Sequence, residues 1–505
     1  MDVARPRTDR LVVALAAGAA AVGGSYLAVG FSRRFLGVAL FDALLALVPD
    51  VVVRVGIEYL GALGQQLLFV SALAVGVAVV AVAAMLGIRA ASRPDRGWGE
   101  AVFAAWLGPT LLTLVLTASV PSALGAGVAA ALVVAAGGAR LGSTTDAAGR
   151  RRVLRAAGAA VAAVGAGVVR FPPSLSGDEE ATEPVEDPQV RSLLDRAADR
   201  EFALPDAEPY VSEAFYNVDI AKADPDIAPE SWSLSVTGAV ETELDLTYGD
   251  VLDRAAEHRF VTLRCVSDDI NGTKIDTALW TGIPVADLLE EAGVGENCCV
   301  MLRADDGYFV SFPLAALADG LLAYRMNGRP LPQDHGAPLR ALVPGHWGET
   351  NGKWLTEIEV LDEPADGYWE QRGWQGTGPV ETVAKVHSVE TGLGDGDGVR
   401  VGGHAYAGTR DVDRVEVSVD GGESWETAEL TEPLPGRVAA AADAVPDDPG
   451  TATDAWRMWR HEYAATADHE VVVRAVDGTG TVQPRAQQQS YPSGATGWVS
   501  VSVSP

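Results

Sequence analysis

Lysine, cysteine and histidine are scarce in this sequence of 505 residues. Only four lysines occur, all after residue 170, and arginine supplies the other basic residues. Three cysteines cannot build a disulfide framework, and the adjacent Cys298 and Cys299, on an apolar run, are expected to be buried packing residues. Residues 1–170 contain no histidine. A b-type haem with paired histidine ligands therefore cannot be built in that segment, and no haem is predicted.

Several short motifs with a known chemistry are also absent. The sequence has no CxxC pair, no HExxH, no Walker glycine loop and no CxxCH haem-attachment signature. Zinc sites of the usual spacing, phosphate-binding loops and c-type haem therefore lack support.

Acidic and basic residues are unevenly distributed along the chain. Residues 1–170 hold 15 arginines and 8 acidic residues, a net charge of +7, whereas residues 171–505 hold 23 basic and 60 acidic residues, a net charge of −37. A surface this acidic repels nucleic acid, so no nucleic-acid partner is expected. The excess of acid is typical of a halophilic protein, and the alternative is a specific cationic partner.

Five apolar stretches in the first 170 residues approach or reach the ~17–25 residues that a helix needs to cross hydrocarbon. They cover residues 11–31, 66–88, 101–118, 123–139 and 154–170. The arginine-rich loops near 89–96 and 140–155 are predicted to be cytoplasmic. We therefore expect a multi-pass anchor in the cell membrane, at residues 1–170, with the rest of the chain on the extracellular side. Arg33 and Arg34 would fall outside in this arrangement and count against it.

Two parts of this region have a second interpretation. Residues 35–61 carry interrupting charges and are interpreted as an amphipathic or re-entrant segment. Residues 149–167 resemble a twin-arginine export signal, although a stop-transfer flank explains the same arginines.

Three regions follow the predicted anchor. Residues 171–206 are rich in Pro, Asp and Glu and predict an exposed acidic linker with one short helix at 188–201. Residues 207–377 mix strand-like runs with short helices at 285–292 and 314–322, which indicates an α+β domain. Residues 378–505 are strand-like throughout and predict an all-β, immunoglobulin-like sandwich.

Two clusters of residues are candidates for chemistry. Cys265 directly follows a strand-like run and lies among polar residues, where Arg264 is expected to favour the thiolate, the form that binds soft metals. His335, Arg340 and Lys353 share a polar loop region broken by Gly and Pro, a plausible cradle for an anionic group. A packing cysteine and a solvated loop are the alternatives.

The stretch TLRCVS (262–267), followed by WTG (280–282) and by LLAYRMNGRPLPQDHGAPLRALVPGHWGETNGKWLTEIEV (321–360), resembles the sulfite oxidase family of molybdenum enzymes. VEVSVDGGESWETAEL (415–430) is similar to that family's C-terminal dimerisation domain. The resemblance covers roughly residues 210–505 and none of the predicted anchor. It implies a sulfite-oxidase-like molybdopterin-binding domain, of a halophilic archaeal type, attached to a transmembrane helical region.

The resemblance also implies site residues. Cys265 would be the protein's metal ligand and catalytic residue, beside the single dithiolene of a molybdenum–molybdopterin cofactor. The other expected cofactor contacts are Tyr216, Asn217, Asp305, His335, Arg340, Asn351, Gly352 and Lys353. True sulfite oxidases carry an arginine five residues after the cysteine, where this chain has Ile270, so a neutral S- or N-oxide is expected to suit the site better than sulfite. Arg325 and Arg372 are the alternatives for replacing that charge.

The expected function is oxygen-atom transfer on a small sulfur or nitrogen compound by a membrane-anchored oxidoreductase. The expected partners are a small-molecule substrate, a separate one-electron carrier, membrane lipid and a second copy of the chain bound through the C-terminal domain. The alternative is a cofactor-free extracellular binding or scaffold protein that retains the fold.

Overall fold

The computed structural model describes residues 5–49, 52–53, 62–91, 98–141, 185–394, 396–442 and 444–505. The chain divides into two compact units. One contains residues 1–182 with 221–225, and the other contains residues 183–220 with 226–505.

The first unit is helical in its described residues. Its helices are α1 (Arg5–Val29), α2 (Leu36–Leu45), α3 (Ala62–Ala91), α4 (Trp98–Thr117) and α5 (Val120–Leu141). The segments Arg10–Val29, Gln66–Arg89 and Gly99–Thr117 are long and apolar enough to cross a membrane. The fourth predicted span falls in α5, whose apolar part Val120–Ala136 is shorter. The fifth, at 154–170, lies outside the described residues, as does the stretch 149–167.

Small residues bring α1 and α5 together. A Cβ built on Gly24 would lie 2.2 Å from the carbonyl oxygen of Gly125, so only glycine allows this approach of the two backbones. Beside this contact the hydroxyl groups of Ser25 and Ser122 are 2.7 Å apart and share a hydrogen bond. The pairing satisfies two polar groups inside an otherwise apolar interface.

The second unit begins with helix α6 (Pro188–Ala198), which confirms the short helix predicted within 188–201. Asp187 caps helix α6 by accepting hydrogen bonds from backbone N–H groups of its first turn. The buried residues of α6 include Val190 and Leu193. The guanidinium of Arg196 donates to the carbonyl of Pro446 at 3.0 Å. From residue 185 the predicted exposed linker is therefore folded against the second unit, because α6 has an apolar face to bury.

The α+β region of this unit contains three more short helices and eleven strands. The helices are α7 (Tyr248–Leu252), α8 (Val285–Glu291) and α9 (Leu314–Ala318). The strands are β1 (Ser233–Gly238), β2 (Leu244–Thr247), β3 (Glu257–Arg264), β4 (Ile275–Pro284), β5 (Cys299–Ala304), β6 (Phe309–Pro313), β7 (Leu321–Met326), β8 (Arg329–Pro330), β9 (Arg340–Leu342) and β10 (Leu355–Leu361), joined by β17 (Val438–Ala439) from the C-terminal region. Helices α8 and α9 confirm the two predicted short helices.

These strands form two sheets. The first has the order β2–β1–β10–β5–β6, in which β1 and β10 are parallel, and the second has the order β17–β3–β4–β7–β8 with β9 also paired to β7. Successive strand residues point to opposite faces. Accordingly Leu322 joins the core shared with the first sheet, whereas Leu321 and Ala323 join a second core that reaches Phe215 and Tyr216. The second sheet is buried on both faces, and every residue of β3 is buried.

The C-terminal region is all β. Its strands are β11 (Val383–Ala384), β12 (Ser388–Leu393), β13 (Gly398–Tyr406), β14 (Val412–Ser418), β15 (Glu426–Thr427), β16 (Glu429–Leu430), β18 (Arg457–Ala464), β19 (His469–Asp477) and β20 (Val499–Val503). One sheet runs β11–β13–β18–β16 with β12 on β13, and the other runs β15–β14–β19–β20. Valines of β13, β14 and β19 fill one core between them.

The adjacent cysteines differ from the prediction. Cys298 and Cys299 are joined by a disulfide bond, and only Cys299 is buried whereas Cys298 is exposed. The expectation that both are buried packing residues is therefore wrong for Cys298, which lies just before β5 begins at Cys299.

Candidate functional site

An open cleft lies where β3 ends and β9 begins, beside the loop that leads to β10. It is lined by Phe215, Tyr216, Val218, Asp219, Ile220, Leu263, Cys265, Val266, Asp306, Tyr308, Arg340, Gly348, Glu349, Asn351, Lys353, Trp354 and Trp369. It is open to solvent and combines aromatic walls with a thiol and two cationic side chains, as ligand-binding clefts often do. The predicted residues Tyr216, Cys265, Arg340, Asn351 and Lys353 therefore share one cleft.

Cys265 is the first residue after β3 and is 7% exposed. Its Sγ lies 3.2 Å from Ser267 Oγ, and its backbone N–H donates to the carbonyl of Lys274 at 3.0 Å. Burial raises the pKa of the thiol, against smaller lowering effects of Ser267 and Lys274. In the protein alone Cys265 is therefore a protonated thiol that a bound soft metal ion would deprotonate.

Arg264 does not act on the thiol as the sequence suggested. Its side chain is fully buried, and its Nε donates to Asp268 Oδ2 at 3.1 Å, while Nη2 donates to the carbonyl of Ala495 at 3.0 Å. Adjacent residues of a strand point to opposite faces, so Arg264 turns away from the cleft that Cys265 lines. The expectation that Arg264 favours the thiolate is wrong for this reason.

Tyr216 reaches the cleft from the segment before β1. Its backbone N–H donates to Asp276 Oδ2 at 2.7 Å, and burial raises the pKa of its hydroxyl well above the usual range. A Cβ built on Gly348 would lie 2.8 Å from the Tyr216 hydroxyl oxygen and 3.5 Å from the Cα of Cys265. Glycine at 348 therefore lets the tyrosine hydroxyl approach the floor of the cleft.

Arg340 begins β9 and lies beside His335. Its Nη1 donates to the carbonyl of His335 at 3.1 Å, its Nη2 donates to the carbonyl of Asn351 at 3.2 Å, and its guanidinium carbon lies 5.2 Å from the centre of the Trp280 ring. Burial lowers the pKa of Arg340 to about 10, which leaves it charged at neutral pH. Burial, followed by the charges of Lys353 and Arg340, lowers the pKa of His335 to about 3, so the imidazole is neutral.

Asn351, Gly352 and Lys353 belong to the loop between β9 and β10. Asn351 Oδ1 accepts from the backbone N–H of Val343 at 2.7 Å, which fixes the loop. The ammonium of Lys353 forms a 3.0 Å ion pair with Asp219 and donates to Asn217 Oδ1 and to the carbonyl of Asp334. This lysine therefore ties the loop to the segment that carries Tyr216.

Not every predicted residue lines the cleft. Asn217 and His335 stand behind it, as partners of Lys353 and Arg340 respectively, and Gly352 contributes a carbonyl that accepts from the backbone N–H of Ala341 at 2.9 Å. Asp305 is exposed outside the cleft wall, and the next residue, Asp306, lines it instead. The pterin contact expected at Asp305 stays a prediction.

Sequence reasoning missed Asp219, Tyr308, Glu349 and Trp369 as lining residues. Tyr308 donates through its hydroxyl to the carbonyl of Glu349 at 2.8 Å. Glu349 is 7% exposed, and burial together with the charge of Glu370 raises its pKa to about 9. Glu349 lies two residues before Asn351, within the quoted stretch 321–360. That position could have marked it as a lining residue.

Within the described residues no group of three or more His, Cys, Asp or Glu is arranged to hold a metal ion by itself. The comparisons with known proteins explain what the cleft is built for. Residues 221–369 match the family described as "Oxidoreductase molybdopterin binding domain", and residues 379–501 match "Mo-co oxidoreductase dimerisation domain". These are molybdopterin oxidoreductase domains of the sulfite oxidase family.

The molybdopterin oxidoreductase domains are similar to characterised proteins. Mitochondrial sulfite oxidase of Homo sapiens is 32% identical over 310 residues, covering 52% of this chain and 54% of that protein. Sulfite oxidase of Gallus gallus is 32% identical over 312 residues, covering 52% and 65% respectively. Sulfane dehydrogenase SoxCD from Paracoccus pantotrophus is similar at a TM-score of 0.44 and 22% identity, over 55% of this chain and 78% of that one. The chain spans about half the length of most of the curated relatives it matches.

The residues of the molybdopterin domain fit a molybdenum cofactor. Such a cofactor brings its own sulfur ligands, so the protein needs to supply one thiol, which Cys265 offers at the cleft. The buried Nδ1 of His335 and Nε of Arg340 have no hydrogen-bond partner among the described residues. Buried polar atoms without partners indicate a missing ligand, because leaving them unpaired costs about 1–3 kcal/mol each.

Proposed function

We propose that this chain is a membrane-anchored molybdenum-cofactor oxidoreductase that moves an oxygen atom to or from a small sulfur or nitrogen compound. The observation that carries the proposal is the cleft in which the buried thiol of Cys265 lies together with Arg340 and Lys353. One soft ligand and two cations suit a metal bound to an anionic pterin.

Each residue has a proposed role toward the cofactor. Cys265 is the protein ligand of the molybdenum, which supplies two-electron redox chemistry when bound. His335 and Arg340 hold the pterin, and Lys353 holds its phosphate together with the backbone of Asn351 and Gly352. Tyr216 and Asn217 contact its rim, and Asp305 or its neighbour Asp306 contacts it from the other side.

The remaining parts of the chain have proposed roles as well. We assign residues 1–170 to a multi-pass anchor, 171–206 to the connection, 207–377 to the cofactor domain and 378–505 to an immunoglobulin-like sandwich. The apolar helices support the anchor. The catalytic domain lies on the extracellular side, electrons pass to a separate one-electron carrier, and the C-terminal domain supports a homodimer.

The cleft supports a neutral substrate rather than sulfite. Ile270 packs against the core of the C-terminal region, and neither Arg325 nor Arg372 lines the cleft. The two cations that do line it have partners: Arg340 donates to two carbonyls, and Lys353 pairs with Asp219. Among the described residues that line the cleft, Arg340 is the one arginine, and its unpaired Nε is assigned to the pterin. A dianion such as sulfite would need a further guanidinium, whereas an S- or N-oxide needs only a hydrogen-bond donor.

The test is metal analysis of the full chain purified from a host able to make the cofactor. We expect about one molybdenum per chain and release of a pterin on denaturation. Absence of both in correctly folded protein would support the cofactor-free scaffold instead. Loss of redox activity in Cys265→Ser, with activity retained in a Cys298→Ser control, supports the assignment of the ligand.

A further inference from the structure

A carboxyl group lies in the wall of the cleft where the family resemblance assigns no function. Glu349 is 7% exposed and lines the cleft, and neither of its carboxyl oxygens has a hydrogen-bond donor among the described residues. A buried carboxylate without any donor is very unfavourable, so this carboxyl requires a proton or a ligand.

The position of this carboxyl group is fixed by its neighbours. A Cβ built on Gly376 would lie 1.9 Å from Glu349 Oε2 and 3.0 Å from Cγ2 of Val266, the residue after Cys265. Only glycine at 376 leaves room for the carboxyl at this point. The group therefore lies against the segment that carries the proposed metal ligand.

Glu370 is the partner of Glu349. Its carboxyl faces that of Glu349, and burial raises its pKa, although Glu349 and the backbone N–H groups of Gly367 and Glu370 have smaller lowering effects. The other titratable groups around the pair are Tyr308, whose hydroxyl donates to the carbonyl of Glu349, and Asp306 and Asp366 further out. Arg372, two residues after Glu370 on the same turn, donates to the carbonyl of Tyr368 at 2.6 Å. Two ionised carboxylates that face each other in a buried wall repel, which favours a shared proton.

We propose that Glu349 and Glu370 share one proton in the cleft wall, and that Glu349 donates it to the oxygen of a neutral S- or N-oxide substrate. This inference rests on the proposed function. Reduction of such an oxide breaks the bond from S or N to oxygen, consumes two electrons and two protons, and releases water. A bound cofactor, reduced by the one-electron carrier, would supply the two electrons. The pair supplies one proton, and solvent supplies the other and restores the pair.

One observation supports the direction of this transfer. Burial and the charge of Glu370 raise the pKa of Glu349 to about 9, so the pair retains a proton at neutral pH. The protonated acid can therefore donate a hydrogen bond, and then a proton, to the oxygen of a neutral oxide.

The first measurement does not depend on turnover. Infrared difference spectra of the full chain in detergent, between pH 8 and pH 10, should show loss of a protonated carboxylic acid. Asp276 and Asp454, whose pKa values burial raises to about 7, are already ionised at pH 8. The signal should vanish in Glu349→Gln and persist in Glu363→Gln, an exposed control. Its absence from the native protein would overturn the proposal.

The second measurement is the pH profile of methionine sulfoxide reduction by the molybdenum-loaded protein. General acid catalysis contributes about 10²–10⁴-fold, so Glu349→Gln should lower kcat by that factor and remove the alkaline limb near pH 9. Glu370→Gln removes the like charge and should shift that limb to lower pH. Native kcat and an unchanged limb in Glu349→Gln would disprove the role.

The two proposals fail in different ways. If the purified protein lacks molybdenum, the proposed function is contradicted. The infrared measurement still tests the shared proton, because it does not depend on turnover. Protein that contains molybdenum and reduces an oxide equally well without Glu349 contradicts only the proton donor.

Discussion

The ammonium group of Lys385 lies 2.6 Å from Asp268 Oδ2, and both side chains are fully buried. The same carboxylate oxygen accepts from Arg264 Nε at 3.1 Å. Lys385 directly follows β11 in the C-terminal region, and Asp268 lies three residues after Cys265. The loop after the candidate metal ligand is therefore held by an ion pair to the C-terminal domain.

Asp268→Asn should destabilise the second unit by about 3–5 kcal/mol, because it leaves two buried cations without a counter-charge. Lys385→Met should lower the free energy of unfolding by less, because Arg264 and Asp268 remain a pair of opposite charges. Denaturant unfolding of the full chain, followed by tryptophan fluorescence, measures both. Asp269→Asn, at an exposed position, is the control and should change stability by no more than about 0.5 kcal/mol. A larger loss for Lys385→Met than for Asp268→Asn would contradict this prediction.

Cys265→Ser should abolish redox activity while the fold is retained, because it exchanges one ligand atom and changes almost no volume. The pterin should remain through Arg340 and Lys353. Turnover, bound pterin and circular dichroism should be measured on the same preparation. Full turnover in the serine variant would refute the ligand assignment.

Sulfite should be a poor substrate compared with methionine sulfoxide or trimethylamine oxide. Each guanidinium that a sulfite site would need contributes about 1.5–3 kcal/mol through charge-assisted contacts, and the cleft has none to spare among its described residues. Steady-state kinetics in high salt compares sulfite oxidation with reduction of the two oxides. A sulfite kcat/KM above ~10⁴ M⁻¹s⁻¹, in the ordinary enzymatic range, would reject the neutral-substrate proposal.

Protease added to right-side-out vesicles should cleave within residues 171–184 and release an acidic soluble fragment. The prediction rests on the arginine-rich loops near 89–96 and 140–155. Residues 185–206 should resist cleavage, because helix α6 packs on the second unit. Cleavage only after the vesicles are lysed would reverse the proposed orientation.

The segment that carries Tyr216 should respond to pH through Asp276. Burial raises the pKa of Asp276 to about 7, even though Ser212 and the N–H of Tyr216 both donate to its carboxylate. An acid with a raised folded pKa contributes stability that is present below its unfolded pKa of 3.8 and is lost as pH rises through about 7. The melting temperature of Asp276→Asn, relative to that of the native protein, should therefore be higher at pH 7.5 than at pH 4.5. An unchanged difference would show that Asp276 does not titrate in this window.

Strands and short helices that depend on the local pattern of apolar residues were predicted from the sequence. The run Phe260–Leu263 is part of β3, and short helices occur where apolar periodicity placed them. The motif around Cys265 and Arg340 brought five predicted residues to one cleft. Residue type and spacing are sufficient for such predictions, because strand and helix periodicity act over a few residues.

The direction of individual side chains could not be predicted in the same way. Arg264 pairs with Asp268 instead of Cys265, and Lys385 completes the neutralisation of Asp268 outside the cleft. Ile270 packs against the C-terminal core. Glu349 meets Glu370 across 21 positions of sequence. These contacts depend on which strand face meets which distant segment, and that is a property of the whole fold.

Strand β17 of the C-terminal family region pairs with a sheet of the molybdopterin-binding region. Val438 and Ala439, from the C-terminal region, pair with His258 and Glu257 of β3, the strand that leads to Cys265. A chain shortened to end before residue 379 would leave that backbone edge unpaired, and open sheet edges recruit other strands. The cofactor region expressed without the β-rich region should therefore expose this strand edge and associate more readily than the two regions together.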